Sequence, residues 1–204
     1  MGLGSPLQRI AMGMVIVVAY AYFPGDPSPD WEHYDALADP LGWLLVIAGM
    51  VALARTNESF ALTRWLAILA GVVSVPMWFP QLNHHLEASG EWFVSLPQLL
   101  FCLLLAREIG VLGATRSPVD GYVAKRFGLL VWGFALAAVL PVVTLGGGVE
   151  QLEGPTQLIS RLVSLAFVYY LFRVHRREWL GGPGPLEIHP RPAPEKREGR
   201  PPSS

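Results

Sequence analysis

With 204 residues, 52% of them hydrophobic and 15% charged, the chain is too apolar for an ordinary soluble domain and suits a single membrane domain of several helices. Its formal net charge of −1 hides a strong asymmetry along the chain, and no nucleic-acid partner is expected. Cys102 is the single cysteine, which excludes an intrachain disulfide and dithiol redox chemistry and reads as a small buried apolar residue.

A helix crosses the roughly 30 Å hydrocarbon core with about 20 residues, fewer when polar flanks snorkel. Apolar stretches at 10–24, 37–54, 65–82, 92–106, 127–145 and 156–172 predict an all-α membrane protein, a six-transmembrane-helix bundle occupying residues 1–180. The first stretch is short, follows Arg9 and ends in Ala19-Tyr20-Ala21, which are parts of a signal peptide. Its thin basic lead and the bulky Tyr22 and Phe23 beyond favour a retained helix. The second helix is expected to start near Asp39 and Pro40, since proline is tolerated at a helix start. Pro76 and Pro80 in the third, Pro97 in the fourth and Pro141 in the fifth each remove a backbone donor near the same side of the membrane. Gly42, Gly49, Gly71, Gly128 and Gly133 are placed to let helices approach closely. Residues 181–204, rich in proline and without an apolar run, predict a disordered cytoplasmic tail.

Of the 15 Lys and Arg residues, all except Arg161 fall at the termini or in alternate gaps, from Arg9 through Arg55, Arg64, Arg107, Arg116, Lys125 and Arg126 to Arg173, Arg176 and Arg177. The intervening gaps hold Asp26, Asp30, Glu32, Asp35, Asp39, Glu87, Glu91, Glu150 and Glu153 and no Lys or Arg. By the positive-inside rule both termini are then cytoplasmic and these acids face outward. Lys125 and Lys196 are the only lysines, a bias toward arginine that suggests a bacterial GC-rich genome and a bacterial plasma membrane.

Arg161 breaks the sorting, a few residues inside the sixth helix. A charge at membrane depth costs about 2.5 to 3.5 kcal/mol at the helix centre on insertion scales and usually faces the protein interior. Gln157, Arg161, Ser164 and Val168 share one face of an ideal helix. Ser95 and Gln98 on the fourth helix, and Gln81 with Asn83, His84 and His85 after the third, stand at similar depth. The sharp expectation is an outward vestibule for an anionic lipid headgroup or small anion, with Arg161 as the charge, Gln157, Ser164 and Gln98 orienting it, and Ser95 and Gln81 alongside. The rival is structural: Arg161 snorkels to lipid phosphates or pairs with Glu91, Glu150 or Glu153.

His84 and Glu87 are spaced to share a helix face, and with Glu91 and the acidic loop they form a conceivable divalent-metal site, although no motif of recognised spacing is present. Pro80-Gln81 and Pro97-Gln98 resemble the dipeptides of PQ-loop transporters. They lie on adjacent helices rather than once per three-helix repeat, so nothing is carried over. With no catalytic residue or cofactor signature, the sequence points away from an enzyme and toward a binding or accessory membrane protein. A small oligomeric transporter and an outward-facing metal-dependent hydrolase are the alternatives. Membrane lipids, a protein partner or further copies of the chain are the expected partners.

Overall fold

The computed structural model describes residues 4–19, 22–23, 34–35, 37–83 and 85–185. Its helices are α1 (Pro6–Val18), α2 (Asp39–Thr56), α3 (Ala61–Met77), the single turn α4 (Pro80–Asn83), α5 (Ala88–Thr115), α6 (Gly121–Pro141) and α7 (Glu153–Val174). Between α1 and α2, the backbone of Tyr22–Phe23 pairs antiparallel with Tyr34–Asp35. Five segments, built on α2, α3, α5, α6 and α7, are long and apolar enough to cross a membrane, and α1 is a shorter apolar helix.

The boundaries differ from the hydropathy reading for identifiable reasons. Ser5 caps α1 by accepting the Gln8 N–H at 3.2 Å, and Pro6 follows at the first helical position, so the helix starts early. It runs over 6–18 rather than 10–24, because Ala19 is already extended. At 1.5 Å per residue α1 spans about 20 Å, short of a full hydrocarbon crossing. The apolar run at 65–82 divides into α3 and α4 around Pro80, whose ring cannot continue a helix. In α5, which covers 88–115 instead of 92–106, Arg107 and Glu108 pair at 2.8 Å and remain helical. The helix stops short of Pro118, as chains approaching a proline do. Asp120 caps α6 by accepting the Val123 N–H at 3.3 Å, and a π turn over Val142–Gly146 follows Pro141.

α1, α2, α3, α5, α6 and α7 pack in chain order, and α7 closes the ring against α1. Up-and-down connectivity places the start of α2, the end of α3 and the starts of α5 and α7 at one end. The other end collects Arg55, Arg64, Arg107, Arg116, Lys125, Arg126, Arg173, Arg176 and Arg177, and is called the arginine end below. Inside the ring Trp43, Met50, Leu53, Phe101, Leu105, Phe127, Phe134 and Phe167 are all at most 1% exposed. Trp43 meets Phe101 edge-on with centroids 5.3 Å apart, and Phe134 meets Phe167 in the same way at 5.3 Å. Outward the ring presents Leu44, Leu69, Val72, Leu100, Leu129, Trp132, Leu136 and Leu162, an exposed apolar belt that belongs in hydrocarbon rather than water.

A candidate binding vestibule

Opposite the arginine end, the ring forms an open cavity of about 790 Å³, within the size range of small-ligand sites. Five helices contribute: Val18 from α1, Asp39 and Trp43 from α2, Ala70, Val73, Ser74 and Met77 from α3, Glu91, Val94, Ser95 and Gln98 from α5, and Arg161 and Leu165 from α7. Trp43, with Phe101 against its edge, forms the floor.

Three of the expected groups meet here. Arg161, Gln98 and Ser95 all line the cavity. Gln157 and Ser164 do not: Gln157 reaches the Glu153 carboxylate at 3.4 Å, and the Ser164 hydroxyl donates back to the Ser160 carbonyl at 2.8 Å. The wall that α7 turns to the cavity is Arg161 with Leu165 one turn on, so the polar stripe and the facing stripe overlap only at Arg161. Gln81 belongs to the short α4, and its side chain lies outside the described residues, as does all of His84. Glu87 precedes α5 as its exposed N-cap residue, and no cluster of three metal-ligating side chains forms among the described residues.

Three groups that the sequence reading had not assigned to the vestibule are present, namely Asp39, Glu91 and Ser74. Asp39 opens α2, where a carboxylate is favoured by the positive end of the helix dipole. One of its oxygens, Oδ1, is shut away from solvent. Among the described residues Arg161 forms no ion pair, Glu153 is engaged by Gln157, and the side chain of Glu150 lies outside the described residues. Arg161 therefore shares a cavity with two carboxylates while standing more than 4 Å from both.

The hydrogen-bond inventory is equally divided. Ser74 donates its hydroxyl hydrogen to the Gly71 carbonyl at 2.8 Å, and Ser95 donates to the Trp92 carbonyl at 2.7 Å, so toward the cavity both hydroxyls offer oxygen lone pairs. Acceptors thus come from Asp39, Glu91, Ser74 and Ser95, while donors come from Arg161 and the Gln98 amide. A wholly anionic ligand would confront two carboxylates, and a wholly cationic one would confront Arg161. A ligand carrying both signs satisfies the set.

No protein-family model matches the chain, and neither a curated protein nor a solved structure is detectably similar to it.

Proposed function

We propose that the chain is a multi-pass binding or accessory protein of a bacterial plasma membrane, with cytoplasmic termini and the vestibule facing outward, and that the vestibule holds one zwitterionic lipid headgroup. Arg161 and Gln98 take the phosphate, and Asp39 and Glu91, with the Ser74 and Ser95 oxygens, take the ammonium. The observation that carries this reading is the guanidinium of Arg161 in one cavity with two carboxylates and paired with neither. It refines the expectation of a simple anion, because the acids would repel one. The apolar lining of Val18, Val73, Met77, Val94 and Leu165 suits the first carbons of an acyl chain. Below the floor the ring is filled by fully buried side chains, including Met50, Leu53 and Leu105, which favours binding over passage.

The test is native mass spectrometry of detergent-purified protein after exchange with equal amounts of phosphatidylethanolamine and phosphatidylglycerol. Wild type is expected to retain about one ethanolamine lipid per chain, Arg161→Gln to lose it, and Asp39→Asn to shift preference toward the glycerol lipid. Identical lipid retention by all three proteins refutes the reading. A thermal shift with free amino acids but not with lipid would move the ligand class from headgroups to soluble zwitterions.

A further inference from the structure

At the arginine end a second cleft, of about 830 Å³, is lined by Arg116, Arg173, Arg176 and Arg177 around Asp120, Tyr122, Glu178 and Trp179. Orientation in a membrane needs basic residues only on the correct side of it. It does not need them gathered, and here they are gathered by specific contacts. The Arg116 guanidinium lies 5.0 Å from the ring centre of Trp179. Arg176 donates its Nε–H to the Gly184 carbonyl at 2.8 Å, and Arg177 Nε pairs with Asp120 Oδ2 at 3.2 Å. These contacts use a ring face or an Nε, so the forked terminal nitrogens keep their donors.

The chain after α7 is shaped to make this frame. Leu180 is fully buried and anchors the turn on the bundle. Gly181 and Gly184 have φ of +73° and +83°, which glycine adopts without strain. A Cβ on Gly182 would stand 2.5 Å from the His175 carbonyl oxygen, so a side chain there has no room. The folded body thus continues through Pro185 into what composition marked as tail.

Asp120 is already committed, with Oδ1 on the Val123 N–H and Oδ2 on Arg177. Four guanidiniums against two carboxylates leave the lining with an excess of two positive charges. Arg173 makes no ion pair or hydrogen bond among the described residues. We infer that this cleft is a binding site for a phosphate group, either the headgroup of an anionic phospholipid or a soluble phosphate ester, held by the forks of Arg116 and Arg173 within the frame set by Arg176 and Arg177. Planar forks with paired donors match phosphate oxygens, which a scattered positive surface does not. The inference is independent of the vestibule, which lies at the other end of the ring.

Full-length protein in uncharged detergent is titrated with short-chain phosphatidylglycerol, short-chain phosphatidylcholine and glycerol phosphate, with binding read by native mass spectrometry and isothermal calorimetry. Three proteins are compared: wild type, Arg116→Gln with Arg173→Gln, and Arg64→Gln with Arg107→Gln. The two variants lose equal charge at the same end, but only the first pair lines the cleft. Saturable binding of either anionic probe at about one per chain, weakened about tenfold or more by the first variant and unchanged in the second, is expected. Saturation by phosphatidylglycerol alone names a lipid, and saturation by glycerol phosphate as well names a soluble ester. Equal weakening in both variants, or no saturable binding to wild type, overturns the site. Should the first variant fail to fold, Arg173→Gln alone takes its place with loss of binding again the expected result.

Discussion

Glycine at the α1–α2 crossing shows how much one hydrogen can decide. A Cβ added to Gly13 would lie 2.4 Å from the Gly42 carbonyl oxygen, and one added to Gly42 would lie 2.8 Å from the Gly13 carbonyl. Both obstacles are backbone and neither helix can yield without parting from the other. Gly128 on α6 has nothing within 4 Å of the same position. We therefore expect Gly13→Ala to destabilise the detergent-solubilised protein by roughly 1 to 3 kcal/mol. Gly128→Ala is expected to leave it unchanged or raise stability by about 0.5 to 1 kcal/mol through helix propensity. Thermal unfolding of the two variants beside wild type checks the pair, and equal melting would contradict the close crossing. Residue types revealed part of the vestibule by the same local logic. Arg161, Ser95 and Gln98 are conspicuous because each interrupts an apolar run. Asp39 and Glu91 stand at helix starts, where an acid has an ordinary reason to be, and their shared cavity follows only from the ring. Gln157 and Ser164 were drawn in by polarity, yet a polar face satisfied by its own backbone and by Glu153 has no need of a cavity.

Within single elements, the contrast between faces carries the energetics. On α5, Phe101 is fully buried against Trp43 beneath the vestibule, whereas Phe93, two turns earlier, is 69% exposed in the apolar belt. Removing the Phe101 ring empties a packed site that surrounding helices fill only partly, at a cost of about 3 to 5 kcal/mol. Phe93→Ala removes no internal contact of that kind and is expected to stay within about 0.5 kcal/mol of wild type. Chemical denaturation in mixed micelles separates these outcomes, and comparable losses at both positions would mean that α5 is rotated from the orientation described. The hydropathy pattern located the six helices of the ring but misplaced their ends, and it gave no sign of the separate α4. Charge at Arg107 and Glu108 marks where α5 ceases to be apolar, but an ion-paired helix continues past that point toward Thr115. The Ser5-Pro6 start of α1 lies outside the apolar window, so hydropathy alone does not reach it.

For the molecule as a whole, the pairing of α1 with α7 is the feature that no periodicity discloses, because it joins the two ends of the chain. It turns a row of hairpins into a ring, and the ring turns scattered polar residues into a cavity at one end and an arginine cleft at the other. Which end meets the cytoplasm is then a single question with two consequences. The proposed orientation puts the arginine end in the cytoplasm, on the ground that basic loops resist translocation while acidic ones contribute little. The chain is well suited to a direct measurement, since its single cysteine, Cys102, is only 2% exposed inside the bundle and should remain silent toward a maleimide. Ser89 lies exposed at the vestibule end and Ser117 exposed at the arginine end. In intact cells an impermeant maleimide is expected to label Ser89→Cys, and to label Ser117→Cys only once the membrane is opened. The reverse pattern would place the vestibule in the cytoplasm and present the arginine cleft to the outside. The proposed ligand chemistry of each site would survive that inversion, but the side of the membrane supplying each ligand would be exchanged, so this labelling experiment decides which ligands each binding assay must offer.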